Sequence, residues 1–259
     1  MNNPKNILIT GASSGIGVAL AAYYAAPGVF LALGGRDEQR LGDIARTCRD
    51  KGAAVNETLV DVRDRDAMQG WIDGVDSVQP LDLAIANAGI SGGTGGGGEP
   101  AQQVRDIFEI NLTGVLNTIE PVLPLMSRRG RGQVALMSSL ASFSGWPGAP
   151  AYSASKGAVR LYGEALRGSM AARGVQVNVI CPGFIRTPMT DVNDYTMPFM
   201  MDAGRAARMI ARGLAANRGR IAFPWQTYVL AGFAGLLPYG LSSRIFLKLP
   251  EKSQSKVVK

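Results

Sequence analysis

Along the first sixty residues, short runs of aliphatic and β-branched side chains alternate with longer stretches whose apolar positions recur at helical spacing. Asn6–Thr10 reads as a buried strand, Ile16–Ala26 as a helix, Val29–Gly34 as a strand, Glu38–Lys51 as a helix and Ala54–Val60 as a third strand. The rhythm continues with a helix near Arg65–Val75, a strand at Leu81–Asn87 and a long helix from about Val104 to Met126. A strand at Gln133–Ser138, a helix from about Ala151 to Arg173 and a strand at Val175–Cys181 follow. Strands separated by helices of this length require right-handed crossovers, and so predict a doubly wound parallel sheet covered on both faces, a three-layer α/β/α domain. Such sheets bind ligands beyond the carboxyl ends of their strands, which directs attention to the loops there.

Composition narrows the chemistry. The 259 residues, 46% of them apolar, suffice for one α/β domain spanning 1–259. The chain has no histidine, which excludes a Ser-His-Asp triad, a Cys-His pair and any His-ligated metal, and no metal site is expected. Cys48 and Cys181 fit no metal or redox spacing, and their use matches a reducing cytoplasm. The net charge of +7 divides unevenly: −6 over residues 1–127 and +13 over residues 128–259. The basic half lacks Lys/Arg runs interleaved with aromatics and carries no nucleic-acid-binding signature, so no nucleic-acid partner is expected; a merely solvated basic face is the plain reading. The low-complexity segment Ser91–Gly98 reads either as a surface loop or as the rim of a site, since it follows a strand's carboxyl end.

Three groups of residues carry chemistry. Between the first strand and helix stands Thr10-Gly11-Ala12-Ser13-Ser14-Gly15-Ile16-Gly17, where glycines permit close backbone approach and a helix N-terminus offers free N–H groups to a phosphate. Tyr152 and Lys156, at i and i+4 on a helix, share a face. An ammonium beside a phenol favours the phenolate and lowers its pKa from about 10, which suits proton exchange with a carbonyl or alcohol oxygen. At the tip of the second strand, Gly35-Arg36 replaces the acidic residue that would accept from both adenosine-ribose hydroxyls and mark NAD. A guanidinium there suits a 2′-phosphate, so NADP (NADPH) is favoured over NAD, with Asp37 turned away as the cap of the next helix.

With Asn87-Ala88-Gly89, Asn111, Ser138-Ser139 and Tyr152-Ser153-Ala154-Ser155-Lys156 added, the chain from about Lys5 to Thr187 resembles the short-chain dehydrogenase/reductase family. The resemblance implies that Ser139 hydrogen-bonds the reacting oxygen, that Lys156 also holds the nicotinamide ribose, and that Asn111 organises a water-linked proton path to that lysine. For Asn111 the plainer role of satisfying local backbone stays open. It further implies that Gly11, Ser13, Ser14, Gly15, Ile16 and Gly17 hold the pyrophosphate side of the cofactor, with Asn87, Ala88 and Gly89 beside them. Asp61 and Val62 would meet the adenine, although Asp61 could equally be a helix cap or turn residue. Pro182, Gly183, Ile185 and Thr187 would form the nicotinamide-side loop. The implied activity is an NADP-dependent interconversion of a small-molecule carbonyl and a secondary alcohol. A cofactor-binding regulator or scaffold that has lost turnover is the alternative; a sugar-nucleotide epimerase would need a larger substrate domain.

Beyond Thr187 the chain departs from the family. Residues 188–216 read as a substrate lid and helix, and four of the ten methionines fall in Pro188–Met201, adaptable surface suited to an apolar substrate or a seam of core. Residues 224–259 replace the family's usual tetramer-forming tail with an apolar, then basic, helical extension. No charge occurs from Ile221 through Ser243, but Pro224, Pro238 and the glycines break that stretch into pieces too short to span a bilayer. Packing over the core or at a homodimer or higher homo-oligomer interface is the leading expectation. Peripheral contact with lipid, aided by Arg244, Lys248, Lys252, Lys256 and Lys259, is the other.

Overall fold

A computed structural model describes residues 3–193, 195–238 and 252. Strands β1 (Asn6–Thr10), β2 (Phe30–Gly35) and β3 (Ala54–Leu59) alternate with helices α1 (Gly15–Tyr24), α2 (Glu38–Asp50) and α3 (Arg65–Val78). Then follow β4 (Leu83–Ala86), α4 (Ala101–Phe108), α5 (Gly114–Arg129), β5 (Gly132–Met137), α6 (Pro150–Ala171) and β6 (Val175–Pro182). After these come β7 (Ile185–Arg186), α7 (Pro188–Asp191), β8 (Met201–Asp202), α8 (Ala203–Ala215), β9 (Arg220–Phe223) and α9 (Trp225–Leu236). Seven strands form one parallel sheet in the order β3-β2-β1-β4-β5-β6-β9, while β7 and β8 pair separately. This is the doubly wound α/β fold that the alternation predicts.

Each central strand is apolar on both faces because helices cover both. Ile7, Ile9, Leu31 and Leu33 point into a core shared with α1, α2 and α8, whereas Leu8, Ala32, Ala84 and Leu136 point into one shared with α3, α5 and α6. At the amino-terminal edge of the sheet, the fully buried Gln133 donates to Asn178 Oδ1 (2.8 Å) and to the Leu214 carbonyl (2.9 Å). Asn178 donates in turn to the Arg218 carbonyl (2.7 Å). A one-residue slip of β5 against β6 would leave these amides unpaired, so the network pins the register.

One sequence expectation needs correction here. The long helix is not continuous: Glu109–Thr113 forms a π-helical turn between α4 and α5, with Asn111 inside it. The described helix of the extension, α9, lies shallowly on the body: Tyr228 and Ala231 pack against Leu140, Val179 and Cys181, while no residue of α9 is buried and Trp225, Val229, Leu230, Phe233 and Leu236 are all more than half exposed. The helix touches the body mainly near Phe143, where Tyr228 meets the Phe143 ring edge-on at 5.5 Å. Among the described residues, no helix is long and apolar enough to cross a membrane. Arg244, Lys248, Lys256 and Lys259 lie outside the described residues. Lys252 is described, and it is 7% exposed rather than part of a solvated basic tail.

Candidate active site

The sheet delivers the ends of β1, β2, β4, β5 and β6 to one cavity of about 1560 Å³. At β1 the Gly-rich turn takes positive φ at Gly11 (64°) and Gly15 (53°), a region that side chains with a Cβ rarely adopt. Thr10 and Asn87 lock this turn to β4. The Thr10 hydroxyl accepts from the Asn87 and Ala88 N–H groups, and Asn87 Nδ2 donates to the Thr10 carbonyl at 2.9 Å. Gly11, Ser13, Ser14, Gly15 and Ile16 face the cavity, and the Ser14 side chain makes no bond to the α1 N-terminus that it precedes. Asn87, Ala88, Gly89, Asp61, Val62, Pro182, Gly183, Ile185 and Thr187 also line the cavity.

Two residues chosen from sequence stand behind the wall rather than on it. A Cβ on Gly17 would lie 2.1 Å from the Gly11 carbonyl oxygen, so this glycine lets α1 press against the turn. Asn111 is fully buried; its Oδ1 accepts from Ile90 N (2.8 Å), and its Nδ2 donates to the Ile90 carbonyl (2.9 Å) and to Ser155 Oγ (3.1 Å). It therefore splints the chain just after Gly89, and the π-helical turn is what aims it there.

At the tip of β2, Asp37 turns away as expected: its carboxylate caps α2 through Arg40 N (2.9 Å) and holds Arg40 Nε (2.7 Å). Arg36 remains half exposed at the cavity, 3.9 Å from Asp61. Asp61 is not the cap of α3, which is Asp64; it accepts from the Arg63 backbone and guanidinium instead. Burial opposes its ionisation, but the Arg63 hydrogen bonds and the Arg36 charge hold its carboxyl below the usual range. Arg36, Arg40 and Arg63 thus share one wall with Asp37 and Asp61. The sequence reading singled out Arg36 alone, since Arg40 and Arg63 look like ordinary helix and loop charges until the strands align.

On the opposite side, Ser139, Tyr152 and Lys156 converge. Ser139 caps a short 3₁₀ turn, its Oγ accepting from Ala141 N at 3.1 Å. The fully buried Ser138 behaves differently, giving its hydroxyl proton to the Lys156 carbonyl at 2.8 Å and so fixing α6 against β5. Lys156 Nζ donates to the Met137 carbonyl (2.9 Å) and lies 6.0 Å from the Tyr152 ring centre. Burial pulls Lys156 down to about 8. It pushes the Tyr152 phenol up, with the Ser139 hydroxyl acting in the opposite sense. The Lys156 ammonium is directed at the Met137 carbonyl rather than at the phenol oxygen, and burial sets the direction of the Tyr152 shift.

A family model described as short chain dehydrogenase matches residues 5–197. The chain belongs to the short-chain dehydrogenase/reductase family. An uncharacterized oxidoreductase of Myxococcus xanthus is 37% identical to this dehydrogenase over 235 residues, covering 90% of this chain and 93% of its own. A short-chain dehydrogenase from Sphingobium yanoikuyae, solved with NADPH, shares the fold: TM-score 0.80, 24% identity, and 97% and 98% of the two chains. An actinorhodin polyketide ketoreductase variant solved with NADPH aligns over 86% of this chain and 96% of its own, at TM-score 0.76 and 27% identity. Family membership makes the chain an oxidoreductase binding a nicotinamide cofactor. The glycine-walled turn, the free α1 N-terminus and the arginines at β2 provide donors and space suited to a dinucleotide.

Residues that the motifs did not flag complete the wall: Trp146, Phe184, Met189, Val192, and Leu230, Phe233 and Ala234 from α9. The Met-rich segment divides between both readings, since Met189 faces the cavity and Met201 is buried in the core. Ser91 lines the cavity and Gly93 is packed against Lys252, so the Gly-rich segment is a rim at its first residues and exposed from Gly95 to Gly98.

Proposed function

We propose that this dehydrogenase interconverts a carbonyl and a secondary alcohol on an apolar substrate with NADP(H), Tyr152 serving as the acid/base. The observation that carries this reading is that Tyr152, Ser139 and Lys156 open into the same cavity as the Gly-rich turn and Arg36. When bound, the nicotinamide supplies or accepts the hydride at the carbonyl carbon. Tyr152 gives its phenolic proton to the carbonyl oxygen in reduction and takes it back in oxidation. Burial favours the neutral phenol, the form required of a general acid. Ser139 donates a hydrogen bond to the reacting oxygen, and Lys156 restores the proton balance next to the phenol while holding the cofactor ribose. Asn111 keeps Gly89 and Ile90 in place behind Lys156. A Cβ on Gly89 would approach Lys156 Nζ to 3.1 Å, so this backbone must stay close. Arg36 recognises the 2′-phosphate and supplies the local positive charge, since Arg40 and Arg63 are held by Asp37 and Asp61. Support for NADP comes from this charge and from the ketoreductase solved with NADPH. The cavity wall of Met189, Val192, Leu230 and Phe233 supports an apolar substrate. The test is NADPH consumption followed by absorbance over a panel of apolar ketones and aldehydes: turnover with none of them, at any pH from 6 to 9, would refute the reading.

A further inference from the structure

One cation in the cavity has no part in this chemistry. Lys252 reaches the wall from the far end of the chain, 161 residues from its partner Ser91. Its placement rests on several contacts. The Lys252 carbonyl accepts from Gly95 N at 2.9 Å, and its ammonium donates to Ser91 Oγ. A Cβ on Gly93 would lie 2.4 Å from the Lys252 carbonyl oxygen, so the Gly-rich segment is bare at the point where Lys252 meets it. The ammonium stands 4.9 Å from the centre of the Tyr152 ring.

An ammonium that is 7% exposed needs a counter-charge or loses its proton. Among the described residues, no carboxylate oxygen lies within 4 Å of it. Glu99 is the acidic group that acts on it, and one Glu99 oxygen is engaged with Ala151 N at 2.9 Å. Lys156, the other cation beside Tyr152, is directed at the Met137 carbonyl. Trp146, Met189, Val192 and Leu230 line the same cavity. A desolvated cation held beside the acid/base, in a cavity that also offers these apolar side chains, is a recognition element for a ligand with one negative end and an apolar remainder.

We propose that Lys252 binds a carboxylate on the substrate, which makes the substrate class an apolar oxo acid or its hydroxy counterpart. The inference deepens the carbonyl reading and rests on it. Because the ammonium lies against the ring of the acid/base, the carboxylate sits within a few bonds of the oxo group, and the alkyl remainder runs along Met189, Val192 and α9. Lys252 is thus a specificity-determining residue rather than a participant in proton transfer.

Binding of a non-reacting probe tests this independently of turnover. Decanoate and its methyl ester are titrated against the full-length protein, with the fluorescence of Trp146 at the cavity as the readout. Wild-type protein is expected to bind decanoate at least tenfold more tightly than methyl decanoate. Lys252→Met should bring the two to equal affinity and Lys252→Arg should keep the preference. Ser91→Ala, which removes the hydrogen bond but not the charge, should also keep it. No preference in the wild type, or a preference surviving in Lys252→Met, overturns the proposal. Failure of the carbonyl reading looks different: it would leave decanoate selectively bound while no oxo compound is turned over.

Discussion

At the residue level the chemistry depends on one oxygen. Tyr152→Phe removes the titrating group without altering the ring, so turnover should fall at least 1000-fold while NADPH binding, followed by its fluorescence, stays within about twofold. Arg36→Ala removes a charge-assisted phosphate contact worth about 1.5–3 kcal/mol, which should erase most of the preference for NADPH over NADH in cofactor titrations. Equal affinities in the wild type would remove Arg36 from the 2′-phosphate role. Lys252 also has a consequence for stability. Burial lowers it to about 8 in the folded protein, against about 10.4 in an unfolded chain. Between these values the unfolded state binds more protons, so this residue's contribution to stability rises with pH across that window. The ligand-free Lys252→Met protein should therefore gain most over the wild type near pH 7, in urea midpoints, and the gain should shrink by pH 10.

At the level of elements, the strands and most helices were legible because their apolar pattern repeats what packing demands. Helices on both faces of the sheet make each central strand a largely apolar run, and Asn6–Thr10 is a strand with the boundaries that the sequence suggests. The π-helical turn at Glu109–Thr113 was not legible: it shifts the phase of the apolar positions within a single turn, too short a stretch to be told from ordinary irregularity in spacing. Its purpose shows only in three dimensions, where Asn111 meets Ile90. Asn111→Leu should lower kcat by more than tenfold and destabilise the protein by about 1–3 kcal/mol, the penalty for leaving the Ile90 backbone groups unpaired. The Tyr152–Lys156 spacing, the Gly-rich turn and Ser139 were readable because each is local in sequence. Lys252 and the α9 side chains were not, since the sequence offers no spacing that relates them to Tyr152. Phe233→Ala on α9 should raise KM for apolar substrates severalfold and leave cofactor affinity unchanged; a shift in cofactor affinity instead would place α9 on the other half of the cavity.

For the molecule as a whole, the cavity is a product of the complete sheet. Thr10 meets Asn87 across 77 positions of sequence, Asn111 meets Ser155 across 44, and Ser91 meets Lys252 across 161. No fragment shorter than residues 10–252 holds all three pairs, so an unfolded chain offers nothing for a dinucleotide to grip. Ligand binding and folding are then linked by mass action: cofactor at a hundred times its Kd should add about 2.7 kcal/mol to the unfolding free energy. The size of that increment, read from melting curves at graded NADPH and NADH, ranks the two cofactors without any substrate in hand, which turns the long-range staple between Thr10 and Asn87 into a binding assay.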